Sequence, residues 1–356
     1  MIHSVIMAGG IGTRFWPRSR KNAPKQVLSI GDNVPLISAT ISRIQPMVPL
    51  ENIWIVTNAN QKPIIQANLP EVNDAHFIIE PMGKNTAPCI GLAAVHLRHV
   101  DPDATMIVLP ADHRITEADR FRECLQFAVE QAEKTRCLVT IGIRPTRPET
   151  GYGYIQTEIP YDSKEHQVFR VKTFAEKPNL NIAQLFLKSG DFLWNSGIFV
   201  WTVDSIMAEI EEHLPELYAG LMEINLQWGT PKYESTLNQL YRSTKSISID
   251  YGVMEHARCV FVVRGDFSWS DVGSWEEVYR ISQKDDFGNA VVGETLLIDS
   301  EGCLVDSPDH LIATLGVKNL VVISTKDATL ICHRDAAQDV KKIVEMLLRK
   351  KADKYL

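Results

Sequence analysis

Residues 3–17 read HSVIMAGGIGTRFWP, so a short apolar run leads directly into three closely spaced glycines. Glycines that follow a strand let the backbone approach an anion and point its N–H groups at it. The stretch is not a Walker loop, because GxxxxGK[ST] is absent, and a dinucleotide-binding GxGxxG would need glycine at Phe15. Arg14 and Lys25 add a planar fork and a point charge, the two cation types that suit a triphosphate. We interpret the stretch as a phosphate-binding loop, with a simple tight turn as the alternative.

Short β-branched runs alternate with helical patterns through the first two-thirds of the chain. Strands are predicted at 3–7, 53–57, 76–80, 105–109 and 137–143, and helices at 64–69, 86–99 and 121–134. Repeated βα units of this kind predict an α/β fold, with a Rossmann-like, mostly parallel sheet covered by helices on both faces. The strand-rich segment 151–201 is predicted to extend the same sheet. Ligands on such sheets bind beyond the carboxyl ends of the strands.

The pattern changes after about residue 285, which predicts a catalytic domain over 1–285 and a small β-rich domain over 286–356. Closely spaced short strands suit β-helix coils, although no clean repeat is visible. Their exposed edges predict a homodimer formed through this domain, whereas the rival interpretation is a lid over the active site. The closing helix, 340–349, would present one apolar face built from Val340, Ile343, Val344 and Leu347.

Composition limits the function classes. Of the 356 residues, 45% are hydrophobic and 23% are charged, and no apolar stretch reaches the roughly 18 residues that span a bilayer. The first ten residues lack the basic region of a signal peptide, so a cytoplasmic location is expected. The net charge of −7 argues against a nucleic-acid surface. Free thiols are predicted for the six scattered cysteines, Cys89, Cys124, Cys137, Cys259, Cys303 and Cys332.

The charge is distributed unevenly, because no acidic residue occurs before Asp32. An acidic protein that keeps one acid-free basic segment is expected to reserve it for a small anion, and the alternative is a solvated basic loop. The cations of this segment are Arg14, Arg18, Arg20, Lys21 and Lys25.

Two aspartates are candidate metal ligands. Asp112 follows an apolar strand in LPADH, where a hard carboxylate suits Mg²⁺ held jointly with substrate phosphates. Asp271, in WSDVGSW, precedes a helix. For both residues the alternative is a helix or turn cap. The DxD formed by Asp101 and Asp103 precedes its strand, so we interpret it as a turn.

Two further stretches offer polar groups. FAEKP ends a strand with Glu176 and Lys177, which point to opposite sides if the backbone is extended; a surface ion pair is the favoured interpretation. WNSGIFVW offers the amide of Asn195 beside an aromatic side chain, a combination suited to sugar hydroxyls.

Together these stretches resemble the sugar-nucleotide pyrophosphorylases, in particular those that form GDP-mannose. The resemblance covers nearly all of the first 280 residues, in order: GGIGTRFWPRSR with PKQ, EPMGKNTAP, LPADH, FAEKP, WNSGIFVW, SIDYGVME and WSDVGSW. Ala175 stands where many members carry valine. The resemblance implies Mg²⁺-dependent joining of GTP to mannose 1-phosphate, with GDP-mannose and diphosphate as products. Because the chain stops before the isomerase domain fused to long bacterial forms, isomerase activity is not expected.

The resemblance also implies residue roles. Catalytic roles fall to Arg14, Lys25, Asp112 and Asp271, the two aspartates holding the metal. The nucleotide would be bound by Ala8, Gly9, Gly10, Gly12, Thr13, Asn85, Thr86, Ala87, Pro110 and Ala111. The sugar phosphate would be bound by Gly151, Glu176, Lys177, Asn195 and Asp250. A phosphate nucleophile is already ionised near neutral pH, so no general base is required, and catalysis rests on alignment and charge neutralisation.

Three other functions remain open at this stage. A pyrophosphorylase for another sugar 1-phosphate would share every motif. A GDP-sugar-using glycosyltransferase would share the sheet and a metal aspartate but would not need Arg14 and Lys25 around a leaving diphosphate. A non-catalytic nucleotide sensor would not need both metal carboxylates.

Overall fold

The computed structural model describes residues 1–31, 33–159 and 167–356. Residues 160–166 and Asp32, the first acidic residue, lie outside the described part. The strands before residue 286 are β1 (Ile2–Met7), β2 (Ile53–Asn58), β3 (Phe77–Glu80), β4 (Thr105–Pro110), β5 (Arg114–Ile115), β6 (Leu138–Ile143), β7 (Gly153–Thr157), β8 (Val168–Glu176), β9 (Phe192–Thr202), β10 (Val260–Gly265) and β11 (Trp269–Ser270). All of them except β5 and β11, which pair with each other, form one sheet in the order β3-β2-β1-β4-β9-β6-β10-β8-β7.

Helices cover this sheet on both faces, as predicted. They are α1 (Leu36–Ile44), α2 (Lys62–Ala67), α3 (Thr86–Val100), α4 (Ala118–Thr135), α5 (Leu180–Ser189), α6 (Val203–His213), α7 (Pro215–Leu226) and α8 (Tyr233–Ser243). Two further helices, α9 (Trp275–Ile281) and α10 (Lys341–Arg349), pack in a third core cluster away from this sheet. One core cluster joins the sheet to α1 and α4, and a second joins it to α3 and α6–α8. Helix α3 lies between the sheet and other helices, so its buried residues are not confined to one stripe. None of the helices in the described part of the chain has the length and apolar character needed to cross a membrane.

The first four strands of the sheet are parallel, which brings their carboxyl ends to one edge. Met7 pairs with Val56 and Pro110, and Asn58 pairs with Glu80. Strand β9 then runs antiparallel between β4 and β6, and β7 and β8 continue the sheet. The middle segment therefore extends the main sheet, as the strand pattern predicted.

The C-terminal module, residues 286–356, contains a four-stranded sheet in the order β12 (Ala290–Ile298), β13 (Leu304–Leu315), β14 (Leu320–Ser324) and β15 (Thr329–His333). The sequence predicts six short strands here, at 290–292, 296–298, 303–305, 311–314, 320–324 and 328–332. That prediction is wrong in number, because two pairs of them merge into β12 and β13. The merger depends on Gly293, where the register shifts. This residue has φ 92° and lies so close to β13 that a Cβ would sit 1.9 Å from the Ser307 carbonyl oxygen. The backbone therefore bulges without ending the strand.

The apolar face of the closing helix is covered by the same chain. Val340 and Val344 are buried in a core cluster with Phe15 and Trp16, and Leu347 packs against that cluster. The prediction that this face is presented to a second chain is therefore wrong for these residues.

The prediction of six free thiols is also wrong, because Cys137 and Cys259 form a disulfide bond. Strands β6 and β10 pair in parallel with Leu138 opposite Val260, so the residues that precede them lie side by side, with Cα atoms 5.2 Å apart. The two cysteines are 122 residues apart in sequence, and their spacing alone gave no sign of the pairing.

Candidate active site

A cavity of about 500 Å³ lies at the carboxyl edge of the parallel strands. Most residues predicted for the site line it. Those predicted to bind the nucleotide are Ala8, Gly9, Gly10, Gly12, Asn85, Thr86, Pro110 and Ala111. Those around the predicted metal and the sugar side are Lys25, Asp112, Gly151, Glu176, Asn195, Asp250 and Asp271.

The signature loop, residues 8–26, leaves β1 and returns to the cavity at Lys25. Gly12 has φ 75°, and a Cβ there would lie 2.4 Å from the Cβ of Lys25, so only glycine fits. The buried amide of Gln26 braces the start of the loop by donating to the Ala8 carbonyl at 2.9 Å. Gln61 donates to the Gly10 carbonyl at 3.3 Å. These two glutamine side chains therefore fix the backbone of the glycine-rich segment.

Lys25 connects the two predicted metal aspartates. The residue is only 6% exposed. Its ammonium group donates to Oδ2 of Asp112 and to the backbone carbonyl of Asp271, both at 2.7 Å. Residues from three distant chain segments thus meet around one nitrogen. Such a buried cation is rigid, which suits stabilisation of developing negative charge.

The surroundings keep these aspartates available as acceptors. Burial alone would raise the pKa of Asp112, but the charges of Lys25 and His113 outweigh it and hold the pKa below its ordinary value. Asp271 accepts a hydrogen bond from the Tyr152 hydroxyl at 2.7 Å. The helix-cap alternative is wrong for both aspartates, because α4 and α9 have other N-cap residues, Glu117 and Ser274. Two carboxylates at one edge of the cavity form an oxygen donor set that fits a hard divalent cation.

The side of the cavity predicted to bind the sugar phosphate contains a second carboxylate pair, Asp250 and Glu176. Asp250 begins a π-helical turn and accepts a hydrogen bond from the Asn195 amide at 2.7 Å. Burial, reinforced by the nearby charge of Glu176, raises the pKa of Asp250 to about 6. Gly153 makes room for Glu176, since a Cβ there would lie 2.3 Å from its Oε2. Amide and carboxylate groups of this kind suit a polyhydroxylated ligand.

Comparison with known proteins gives the family. A model described as nucleotidyl transferase matches residues 3–286, and one described as the MannoseP isomerase/GMP-like beta-helix domain matches residues 293–347. A mannose-1-phosphate guanylyltransferase of Klebsiella pneumoniae is 37% identical over all of this chain and 76% of its own length. That of Escherichia coli K12 is 38% identical over 97% of this chain and 73% of its own length.

The chain belongs to the mannose-1-phosphate guanylyltransferase family of nucleotidyl transferases. The fold agrees. A solved Thermus thermophilus protein, described as a mannose-1-phosphate geranyltransferase, superimposes with a TM-score of 0.87 at 34% identity, over 97% of this chain and 99% of that one. Nucleotidyl transferases of this kind generally use a divalent metal.

Four residues predicted from the guanylyltransferase resemblance do not line the cavity: Thr13, Arg14, Ala87 and Lys177. Arg14 is exposed, and Ala87 is fully buried in the core. Lys177 has φ 48°, so the backbone is not extended there and its ammonium turns back onto the Glu176 carboxylate. The expectation that these two side chains point to opposite sides is therefore wrong.

The anion-binding interpretation is wrong for three cations of the basic segment. Arg18, Arg20 and Lys21 each form an ion pair with an aspartate of the C-terminal module. Only Lys25 of the five faces the cavity. Sequence reasoning could not distinguish these roles, because the partner aspartates lie about three hundred residues away.

Several residues that line the cavity had no predicted role, and two of them lie within the EPMGKNTAP motif. Glu80 and Lys84 both belong to EPMGKNTAP, but their residue types gave no separate signal. Tyr152 and Trp269 complete the aromatic wall beside Asp271.

Proposed function

We propose that this protein joins GTP to mannose 1-phosphate, forming GDP-mannose and releasing diphosphate. The observation that carries the proposal is the cavity itself, which combines a glycine-rich loop, a buried lysine bridging two aspartates and a polar sugar side. Relatives that share this chain over its whole length are named for the same reaction.

A buried carboxylate supports guanine as the base. Glu80 is 5% exposed at the floor of the nucleotide side, and its Oε2 lies 3.4 Å from the position of a Cβ on Gly9. Its Oε1 accepts a hydrogen bond from the Tyr241 hydroxyl at 3.1 Å. Among the described residues no cation forms an ion pair with it, so burial raises its pKa to about 7.

A buried carboxylate without a cation is costly unless a ligand supplies donors. Guanine presents two adjacent donors, the ring N1–H and the 2-amino group, which match two carboxylate oxygens. Uracil and thymine present one N–H flanked by two carbonyl oxygens, which a carboxylate repels. Glu80 therefore favours GTP over uridine and thymidine nucleotides.

The proposed reaction is an in-line displacement at the α-phosphorus of GTP. An oxygen of the sugar phosphate forms a bond to this phosphorus while the bond to the departing diphosphate breaks. The backbone N–H groups of the signature loop and the Lys25 ammonium stabilise the diphosphate, and Arg14 is proposed to assist from the loop surface. No proton has to be removed from the nucleophile.

Asp112 and Asp271 are proposed to hold Mg²⁺, which would neutralise charge on the phosphates when bound. The fit rests on their chemistry, since both are carboxylates at the cavity edge and Asp112 stays ionised at neutral pH. Asn195, Asp250 and Glu176 are proposed to bind mannose hydroxyls, and Lys177 to bind the sugar phosphate.

Isotope exchange tests the proposal. Purified protein is incubated with GDP-mannose, Mg²⁺ and radiolabelled diphosphate, and the label is followed into GTP. A glycosyltransferase or a nucleotide sensor cannot form GTP in this way. Label in GTP that disappears when GDP-mannose is omitted supports the proposal, and no label at any Mg²⁺ concentration contradicts it. Replacing GDP-mannose with GDP-glucose in a parallel reaction tests the choice of sugar.

We also propose a homodimer formed through the C-terminal module. Strand β12 is an edge strand, and apolar side chains on β12 and β13 remain exposed, among them Val292, Leu296, Leu311 and Leu315. Pairing with a second copy would cover both the open edge and these side chains. Sedimentation of a Leu296→Lys, Leu315→Lys variant tests this, because a dimer of unchanged strength would exclude this face.

A cytoplasmic location is also proposed, since the proposed reaction consumes GTP. The disulfide bond argues in the opposite direction, because such bonds are rare in the reducing cytosol. Thiol titration of protein extracted under alkylating conditions would show which state the cell maintains.

A further inference from the structure

The signature loop is attached to the C-terminal module by polar contacts on the side away from the cavity. Three ion pairs join them: Arg18 with Asp306 at 2.6 Å, Arg20 with Asp327 at 2.9 Å and Lys21 with Asp353 at 3.2 Å. In addition, the indole N–H of Trp16 donates to the Tyr355 carbonyl at 2.9 Å. The Arg18–Asp306 pair is the most buried of the three, with side chains 25% and 12% exposed.

An apolar core shared by three chain segments lies beneath these contacts. The loop contributes Phe15 and Trp16, and the segment after Asp271 contributes Val272 and Trp275. The indole N–H of Trp275 donates to the Trp16 carbonyl at 3.2 Å, which ties the two segments together. The module contributes Leu304, Val321, Ile323, Leu330, Val340 and Val344 to the same core.

Short chains of hydrogen bonds connect this core and the ion pairs to Lys25 and Asp271. The Lys25 amide donates to the Ile11 carbonyl at 3.1 Å, and the Ser19 hydroxyl donates to the same carbonyl. On the other segment, Val272 is fully buried with φ 45°, an unusual conformation for a β-branched residue, and it directly follows Asp271. Lys25 then bonds to the Asp271 carbonyl. The module therefore packs against both segments that carry Lys25 and Asp271, on the side away from the cavity.

We infer that the C-terminal module is a positioning element of the active site, in addition to any role in assembly. Arg18, Trp16 and Asp306 are positioning residues that set the place of Lys25 and Asp271 without lining the cavity. The inference rests on the proposed function for its kinetic readout, but its structural readout needs no substrate.

The kinetic expectation follows from geometry. A displacement of about 1 Å in a group that acts on the transition state costs up to roughly 100-fold in rate. Asp306→Asn keeps the shape of the side chain but removes the charge that faces Arg18. We expect kcat to fall roughly 10-fold or more while KM for the sugar phosphate changes little, because Asn195 and Asp250 are held by other elements.

The matched control is Asp353→Asn, which removes the same charge from the same module. Its partner Lys21 and Asp353 itself are 57% and 74% exposed, so this pair should add little. Arg18→Gln should reproduce the loss, Arg18→Lys should restore part of the activity, and the double variant Arg18→Gln, Asp306→Asn should be no worse than either single variant.

The structural readout is hydrogen exchange of the ligand-free protein. In Asp306→Asn we expect amides in residues 9–26 and 268–275 to exchange roughly 10-fold faster, with unchanged exchange in β2 and α3. Faster exchange with no GDP-mannose formed by the wild type would refute the proposed function and leave the positioning role standing. Unchanged exchange and unchanged kcat in Asp306→Asn, at a temperature where it is folded, would overturn the inference. A lowered melting temperature with normal kcat would do the same, since it would make the module a stabiliser only.

Discussion

Glu80→Gln should make the ligand-free protein more stable while it removes the preference for guanine. The carboxyl group is buried without a cation, and its pKa is about 7 instead of the ordinary 4.5. That difference corresponds to roughly 3 kcal/mol against the ionised form, of which a neutral amide would recover about 1–3 kcal/mol at pH 8. Glutamine has nearly the same shape and can accept the hydrogen bond that Tyr241 donates.

The pH dependence of the effect has a definite sign. Because folding raises the pKa of Glu80, folding favours its protonated form, and the stability that this group contributes is fully present below about pH 4.5. It is lost as the pH rises through about 7. The free energy of unfolding of Glu80→Gln minus that of wild type should therefore be small at pH 5 and grow up to pH 8.

Urea unfolding at pH 5, 6.5 and 8 measures this difference. Glu276→Gln is the matched control: burial alone would raise the pKa of Glu276, but Arg334 and Arg280 outweigh it and hold the pKa below its ordinary value. That variant should lose stability at pH 8 instead of gaining it. Equal effects of Glu80→Gln at all three pH values would refute the reasoning, since they would show that folding does not raise the pKa of Glu80.

The same variant tests base recognition. Inosine triphosphate lacks the 2-amino group of GTP, and one hydrogen bond to a charged acceptor is worth about 1.5–3 kcal/mol. Wild type should therefore prefer GTP over inosine triphosphate by roughly 10- to 100-fold in kcat/KM, and Glu80→Gln should reduce this ratio towards one. An unchanged ratio would mean that Glu80 does not contact the base.

The remaining predictions concern the chemistry and the cross-link. Asp112→Asn and Asp271→Asn should each abolish metal-dependent turnover in a folded protein, and near-normal rates at limiting Mg²⁺ would exclude either as a ligand. Lys25→Ala should lower kcat by roughly 10²–10³-fold, whereas Lys177→Ala should mainly raise KM for the sugar phosphate; reversed effects would mean that the two ends of the site are exchanged. Reducing the disulfide should lower the free energy of unfolding by about 2–5 kcal/mol in urea titrations with and without reductant, and no change would show that the cysteines are unpaired in solution.

The sequence predicted the parts of this molecule that depend on local pattern. The strand before Gly9 and the strand before Asp112 are parallel, so their carboxyl ends lie at one edge of the sheet. The rule that ligands bind beyond these ends was enough to place these two motifs at the cavity. The sheet order was not predictable, because β9 inserts between β4 and β6 by pairing across distant segments.

The errors arose where the outcome depends on a contact between distant residues. Arg18 and Lys25 are both cations of the same basic stretch, yet Arg18 pairs with Asp306 and Lys25 with Asp112. Glu80 was overlooked because a glutamate at the end of a strand is ordinary until its burial is known. In each case the residue type was visible in the sequence, and the environment that gives it a role was not.

The ammonium group of Lys25 occupies the position of a counter-ion for Asp112 before any ligand arrives. A divalent cation that binds Asp112 alone must compete with this group, so its affinity for the free protein should be weak. Phosphate oxygens entering beside the signature loop would offer Lys25 another partner and release the carboxylate. Nucleotide and metal are then linked thermodynamically, each strengthening the other's binding by the same factor. The metal is accordingly expected to enter as its complex with the nucleotide, so the order of addition is set by the hydrogen bond between Lys25 and Asp112.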